Sequence, residues 1–119
     1  MSTIKVDTIQ DTSGNERFTA FSWVNFNGTG TVAIRESGGL SSITDNAAGD
    51  FSMNFSSAAA SANYVTFETA GKADTVNNVF TYMRNVYGSG PTTTVSRFTF
   101  PSNAGTFTDR EHHHAMCVN

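Results

Sequence analysis

Three features of this 119-residue sequence predict an all-β fold, an antiparallel β-sandwich or a jelly-roll-like domain. Short runs alternate apolar and polar residues with the period of two of a half-buried strand. Phe51, Met53 and Phe55 alternate with Ser52 and Asn54, and Val32 and Ile34 with Ala33 and Arg35. The composition suits strands and turns: phenylalanine supplies ten residues, Leu40 is the only leucine, and Ser, Thr, Asn and Gly dominate the remainder. Turn signals recur at short intervals, at Asn27-Gly28-Thr29-Gly30, Asp45-Asn46-Ala47-Ala48-Gly49-Asp50 and Gly88-Ser89-Gly90-Pro91. They divide the chain into about eight strand-length pieces. No fixed-period repeat is present, which excludes a solenoid.

In order, residues 2–10 (S-T-I-K-V-D-T-I-Q) are expected to form a strand with Ile4 and Val6 on one face. Asp11 to Asn15 closes it with turn chemistry. Residues 1–15 are set apart as a leading segment, and 16–119 as a single sandwich domain. Arg17 to Asn27 is apolar on both faces, with Phe18, Val24 and Phe26 at even positions and Phe21 and Trp23 at odd ones. That pattern implies a central strand or one with a face in a subunit interface, and the mixed phase near Ala20 and Ser22 predicts a bulge. Ser56 to Ala62 is too short for an independent helix and is read as a link. Asn63 to Thr69 is a strand with Val65 and Phe67 expected inward, and Ala70 to Asn78 a polar connection. Val79 to Tyr87 is a second two-sided strand, Thr92 to Phe100 a Thr-rich one, and Pro101 to Gly105 a loop. Asp109 to Asn119 is the last strand, with His112, His114, Met116 and Val118 on one side.

Charge and length exclude several classes. A net charge of −3, without a basic patch among aromatics, is wrong for a nucleic-acid groove. No apolar run approaches the ~20 residues that cross a bilayer. The first residues lack the layout of a secretion signal, so folding in a cytoplasm is expected. Cys117 is the only cysteine and is read as a small buried residue. His112 and His114 share a strand face about 7 Å apart and are the candidate metal ligands, needing a third. One histidine per chain around a threefold axis is a further arrangement; an exposed or interfacial polar strand end is the preferred reading, and no cofactor is assigned. Asp45, Asn46 and Asp50 lack the spacing of a calcium loop and are read as a hairpin turn. No G-x-S-x-G elbow and no pair of carboxylates flanking a sugar groove is evident, so no catalytic residue is assigned and the chain is read as a non-enzyme. Phe21, Trp23, Phe80, Tyr82 and Tyr87 are the candidate interface or ligand-stacking residues, with Tyr64 a further stacking candidate. The sequons at Asn27 and Asn54 are read as turn and strand residues.

The segment from Trp23 to Phe55 carries a resemblance. A tryptophan-led strand with N-F-N-G-T-G-T-V-A-I-R, followed by S-S-I-T-D-N-A-A-G-D-F-S-M-N-F, resembles a module of virion appendage proteins of tailed bacteriophages, especially marine ones. The opening I-K-V-D-T-I-Q is similar to the start of many phage fibre proteins, where it serves virion attachment, and Ala62-Asn63-Tyr64 opens a strand as in that family. The likeness covers residues 2–69; E-S-G-G-L at Glu36 to Leu40 and the His-rich end depart from it. It implies a virion structural protein, a short tail-fibre or appendage subunit, assembled as a homotrimer with other virion proteins and mediating assembly and host attachment. A capsid decoration (cement) protein and a glycan-binding module are the alternatives. Partners expected on this reading are other tail or capsid proteins and a host surface glycan or receptor, with neither nucleic acid nor membrane insertion.

Overall fold

A computed structural model describes residues 2–15, 20–71, 84–85, 90–100 and 107–119. Among them lie eight strands: β1 Ala20–Asn27, β2 Ala33–Gly38, β3 Leu40–Ala47, β4 Asp50–Phe55, β5 Val65–Gly71, β6 Arg84–Asn85, β7 Val95–Thr99 and β8 His112–Val118. They form two four-stranded antiparallel sheets, in the orders β2-β1-β8-β5 and β3-β4-β7-β6. The expected sandwich is present. The expected strand at Arg17 to Asn27 is present from Ala20 on; its first residues lie outside the described residues, as does most of the expected strand at Val79 to Tyr87. So do most of the polar connection after Ala70 and the loop at Pro101 to Gly105.

Two hairpins build the halves. In the β1–β2 connection the Asn27 side-chain oxygen accepts from the Thr29 N–H and hydroxyl, at 3.0 and 2.8 Å. β3 returns into β4 through Ala48-Gly49, with Gly49 at φ +63°. The Asp50 carboxylate there receives both Arg97 Nε (2.9 Å) and the Arg97 terminal nitrogen (2.6 Å), a fork that ties β4 to β7. The turn is thus closed by an ion pair and by Asn46, which donates to Asp50 and Ser52. The chain passes from one sheet to the other between β2 and β3 at Gly39. Its φ is +64°, and a Cβ there would overlap the Phe21 carbonyl oxygen. The expected bulge is found: the register of β1 on β8 shifts between Ala20 and Ser22.

The core consists of rings. At one end Phe26, Phe51, Phe98 and Phe100 are all essentially inaccessible, with Phe26 and Phe51 edge-to-face at 5.2 Å. At the other end Phe21 meets Phe55 (5.1 Å) and Tyr64 (5.3 Å), both edge-to-face. Val24, Met53, Ala115 and Cys117 complete the buried cluster. The reading of Cys117 as a small buried residue is met.

Two expectations fail. Residues 2–9 are extended but belong to no strand, and Gln10 makes only an isolated bridge. Among the described residues no sheet edge pairs with this arm, and Ile4, Val6 and Ile9 stay 87%, 58% and 50% exposed. Its base is fixed, however, by the Asp11 turn, where the carboxylate accepts from the Ser13 and Asn15 N–H groups at 2.9 and 3.0 Å. Second, Val65 and Phe67 point outward, whereas Thr66, Glu68 and Ala70 are the more buried residues of β5. Residues opposite each other in a ladder share a face. Phe67 pairs with Met116 and Glu68 with Ala115, so the phase of β8 dictates that of β5. Gly39→Ala is expected to lower stability by about 1–3 kcal/mol through backbone strain and overpacking. Urea unfolding of the two proteins measures it; equal midpoints would contradict the account of the crossover.

Candidate functional site: the outer face of one sheet

The strand pleat sorts the β2-β1-β8-β5 sheet into two unlike faces. Inward go Ser22, Val24, Phe26, His113, Ala115 and Cys117. Outward, cross-strand registers align the side chains in rows. One row runs Gly38, Trp23, Met116, Phe67; a neighbouring row contains Val118 and Val65. On the other side a polar row runs Glu36, Asn25, His114, Thr69. The Trp23 indole leans across β2 over Gly38, which has no side chain to obstruct it. Trp23, Asn25, His114, Met116, Phe67 and Thr69 line a shallow groove of about 410 Å³. Trp23 is 39% exposed, Met116 38%, Phe67 56% and Val65 55%. Four large apolar groups in contiguous rows form a patch of the kind that marks a contact surface. Arg35 donates to the Asn25 side-chain oxygen at 3.3 Å, closing the polar flank.

The candidates from sequence divide clearly. Trp23 is on this face. Phe21 turns the other way and packs on Phe55 and Tyr64, because the bulge at Ala20/Ser22 inverts the phase of the strand. Phe80, Tyr82 and Tyr87 lie outside the described residues. Tyr64 is no stacking platform: its ring is buried, and its hydroxyl donates toward the carbonyls of Thr92 and Val95 at 3.1 and 3.0 Å. His112, His114 and Met116 are exposed on one side of β8, in the phase expected. Among the described residues no three His, Cys, Asp or Glu side chains converge in a metal-binding group, so His112 and His114 lack a third ligand within the described chain. Sequence reasoning missed Met116 and Phe67 as partners of Trp23, since their union depends on strand order, which alternation alone does not report.

Two buried titratable groups flank this face from within. His113 is stacked on Phe26 at 4.6 Å and touches Phe51 and Phe100, with ring centroids at 5.0 and 4.7 Å. Its Nε2 accepts from the Arg110 N–H at 3.3 Å, while Nδ1 is buried without a partner. Burial pushes the imidazole down to about 4. Glu68 enters the sandwich beside Ala115, with both carboxyl oxygens out of reach of solvent and unpartnered, and burial pushes it up to about 9. Thr66 reaches Ser96 Oγ (3.4 Å) and Cys117 Sγ (3.7 Å) in the same layer, and burial also raises the Cys117 thiol.

The signs of linkage are opposite. Glu68 holds its proton in the folded state, so its contribution is complete below the unfolded value of about 4.5 and is lost as pH rises toward 9. His113 excludes its proton, so its contribution is complete above about 6.5 and is lost as pH falls toward 4. Between about 4.5 and 6.5 the two slopes offset, and above that window stability declines through Glu68. Glu68→Gln is expected to flatten the decline between pH 6.5 and 9 and to leave the pH 4.5 stability nearer to that of the parent. Chemical unfolding at a series of pH values reads this directly; an unchanged alkaline slope would contradict it.

No family model matches the chain, and neither a curated protein nor a solved structure is significantly similar to it.

Proposed function

We propose that the chain is a non-enzymatic structural subunit of a tailed-phage virion that self-associates, as a homotrimer, through the outer face of the β2-β1-β8-β5 sheet. The observation that carries this reading is the apolar double row of Trp23, Met116, Phe67 and Val65, left open to water in the single chain. The phage assignment is supported by the likeness of residues 2–69 to appendage proteins, and an appendage subunit is the first reading. A capsid decoration role makes the same demand, a β domain bracing its neighbours through apolar contact.

An obligate interface buries upwards of roughly 2,000 Å², more than this groove supplies from one side. A threefold ring in which each subunit uses the face once and meets a second surface of its neighbour answers that demand and closes. The polar row of Asn25, His114 and Thr69 beside Trp23 supports the second reading, a glycan site, in which a ring stacks on the indole while its hydroxyls meet polar groups. Retention on a glycan array that is abolished by Trp23→Ala, in a protein that remains a monomer, would favour it.

In light scattering at micromolar concentration the parent chain is expected to have three times the mass of the single chain. Phe67→Lys, which places a charge on the exposed centre of the patch, is expected to reduce it to a monomer with unchanged far-ultraviolet circular dichroism. A monomeric parent, or a trimer indifferent to Phe67→Lys, would overturn the assignment of this face.

A further inference from the structure

The outer face has an occupant of matching shape in the same chain. We infer that the groove formed by Trp23, Met116 and Phe67 receives the extended arm, residues 2–10, of a second copy, an exchange that rests on the self-association proposed above and specifies its contact.

Both surfaces are uncovered in the single chain. The arm leaves Ile4, Val6 and Ile9 in water while the groove leaves Trp23, Met116 and Phe67 in water, so the arm does not fill the groove of its own subunit. The Asp11 turn closes the C-terminal end of the arm, and β1 begins at Ala20, beside Val118 in the apolar row of Val65.

The spacings agree. Ile4 and Val6 are two residues apart in an extended segment, about 7 Å. The rows Val118–Val65 and Trp23–Met116–Phe67 are likewise separated by two residues along each strand, hence by the same distance. An arm running along the strands sets Ile4 over one row and Val6 over the other, with Lys5 and Asp7 turned to water.

The areas are compatible as well. With about 150–250 Å² for a large apolar residue, the exposed fractions of Ile4 and Val6 leave about 250 Å² on the arm, and those of Trp23, Met116, Phe67 and Val65 about 350 Å² on the patch. One arm in one groove thus buries about 600 Å², below the roughly 1,200–2,000 Å² of a stable interface. In a closed ring each subunit donates one arm and receives another, so it is held by about twice that area. Exchange without closure is too weak to persist, which favours a closed ring over an open chain.

The test combines a deletion with a cross-link. Removal of residues 2–10, all exposed, is expected to yield a folded monomer by light scattering and circular dichroism. A chain carrying only Val6→Cys, co-expressed with one carrying only Phe67→Cys, is expected to give a disulfide-linked dimer after mild oxidation. If the deletion variant stays assembled while Phe67→Lys dissociates, the face is used body to body: the proposed function stands and the arm exchange is wrong. If neither variant changes the mass, the face itself is wrong and the exchange falls with it. If a disulfide forms only within a chain carrying both cysteines, the arm closes on its own subunit and the exchange is again overturned.

Discussion

The seating of one imidazole sets the geometry on which everything else depends. His113 is held between the rings of Phe26, Phe51 and Phe100, and a strand whose pleat is fixed at one residue is fixed along its length. With His113 inside, Ala115 and Cys117 follow it, and His112, His114 and Met116 must face outward. β8 pairs with β1 on one side and β5 on the other, so the choice spreads through the sheet. Phe67 is drawn outward beside Met116, and Glu68 is carried inward beside Ala115. An uncharged imidazole is the condition for this packing, since burial among phenylalanines penalises the cation by more than the nearby Asp109 favours it.

That coupling accounts for what could and could not be read from the sequence. The sandwich class, the two hairpin turns, the bulge near Ala20 and the common face of His112 and His114 follow from alternation and turn chemistry, which are local. Val65 and Phe67 were expected inward because apolar residues usually are, and alternation gives two faces without saying which is buried. The deciding information was the pairing of β5 with β8, whose partners Phe67 and Met116 lie 49 places apart in the chain. Residues 2–9 show the complementary failure. Their Ile-Lys-Val-Asp pattern fits a strand, but a strand needs a neighbour to accept its hydrogen bonds, and none is found among the described residues. His113 carried no signal at all: in a run of three histidines nothing local distinguishes the one that enters the core.

The misplacements and the proposed function point the same way. Apolar residues found outside, on β5 and on the arm, are the ones for which a lone subunit has no use. A composition so rich in phenylalanine fills a thin interior with a few large rings, and the surplus reaches the surface as contiguous rows rather than as scattered residues. Such rows differ from the ordinary exposed leucine or valine of a monomer in being continuous. The buried Glu68 beneath them is a cost that the strand register imposes, smallest below about pH 4.5, where the carboxyl is protonated folded or unfolded, and growing from there toward pH 9.

Trp23 is the only tryptophan and lies in the middle of the outer row, so its fluorescence reports the state of this face without interference. Acrylamide quenching across a dilution series from micromolar to low nanomolar concentration is the most direct measurement. The account predicts a shielded indole at high concentration that becomes accessible as the assembly dissociates. An indole equally accessible at every concentration would show that nothing covers the face and would contradict the central claim.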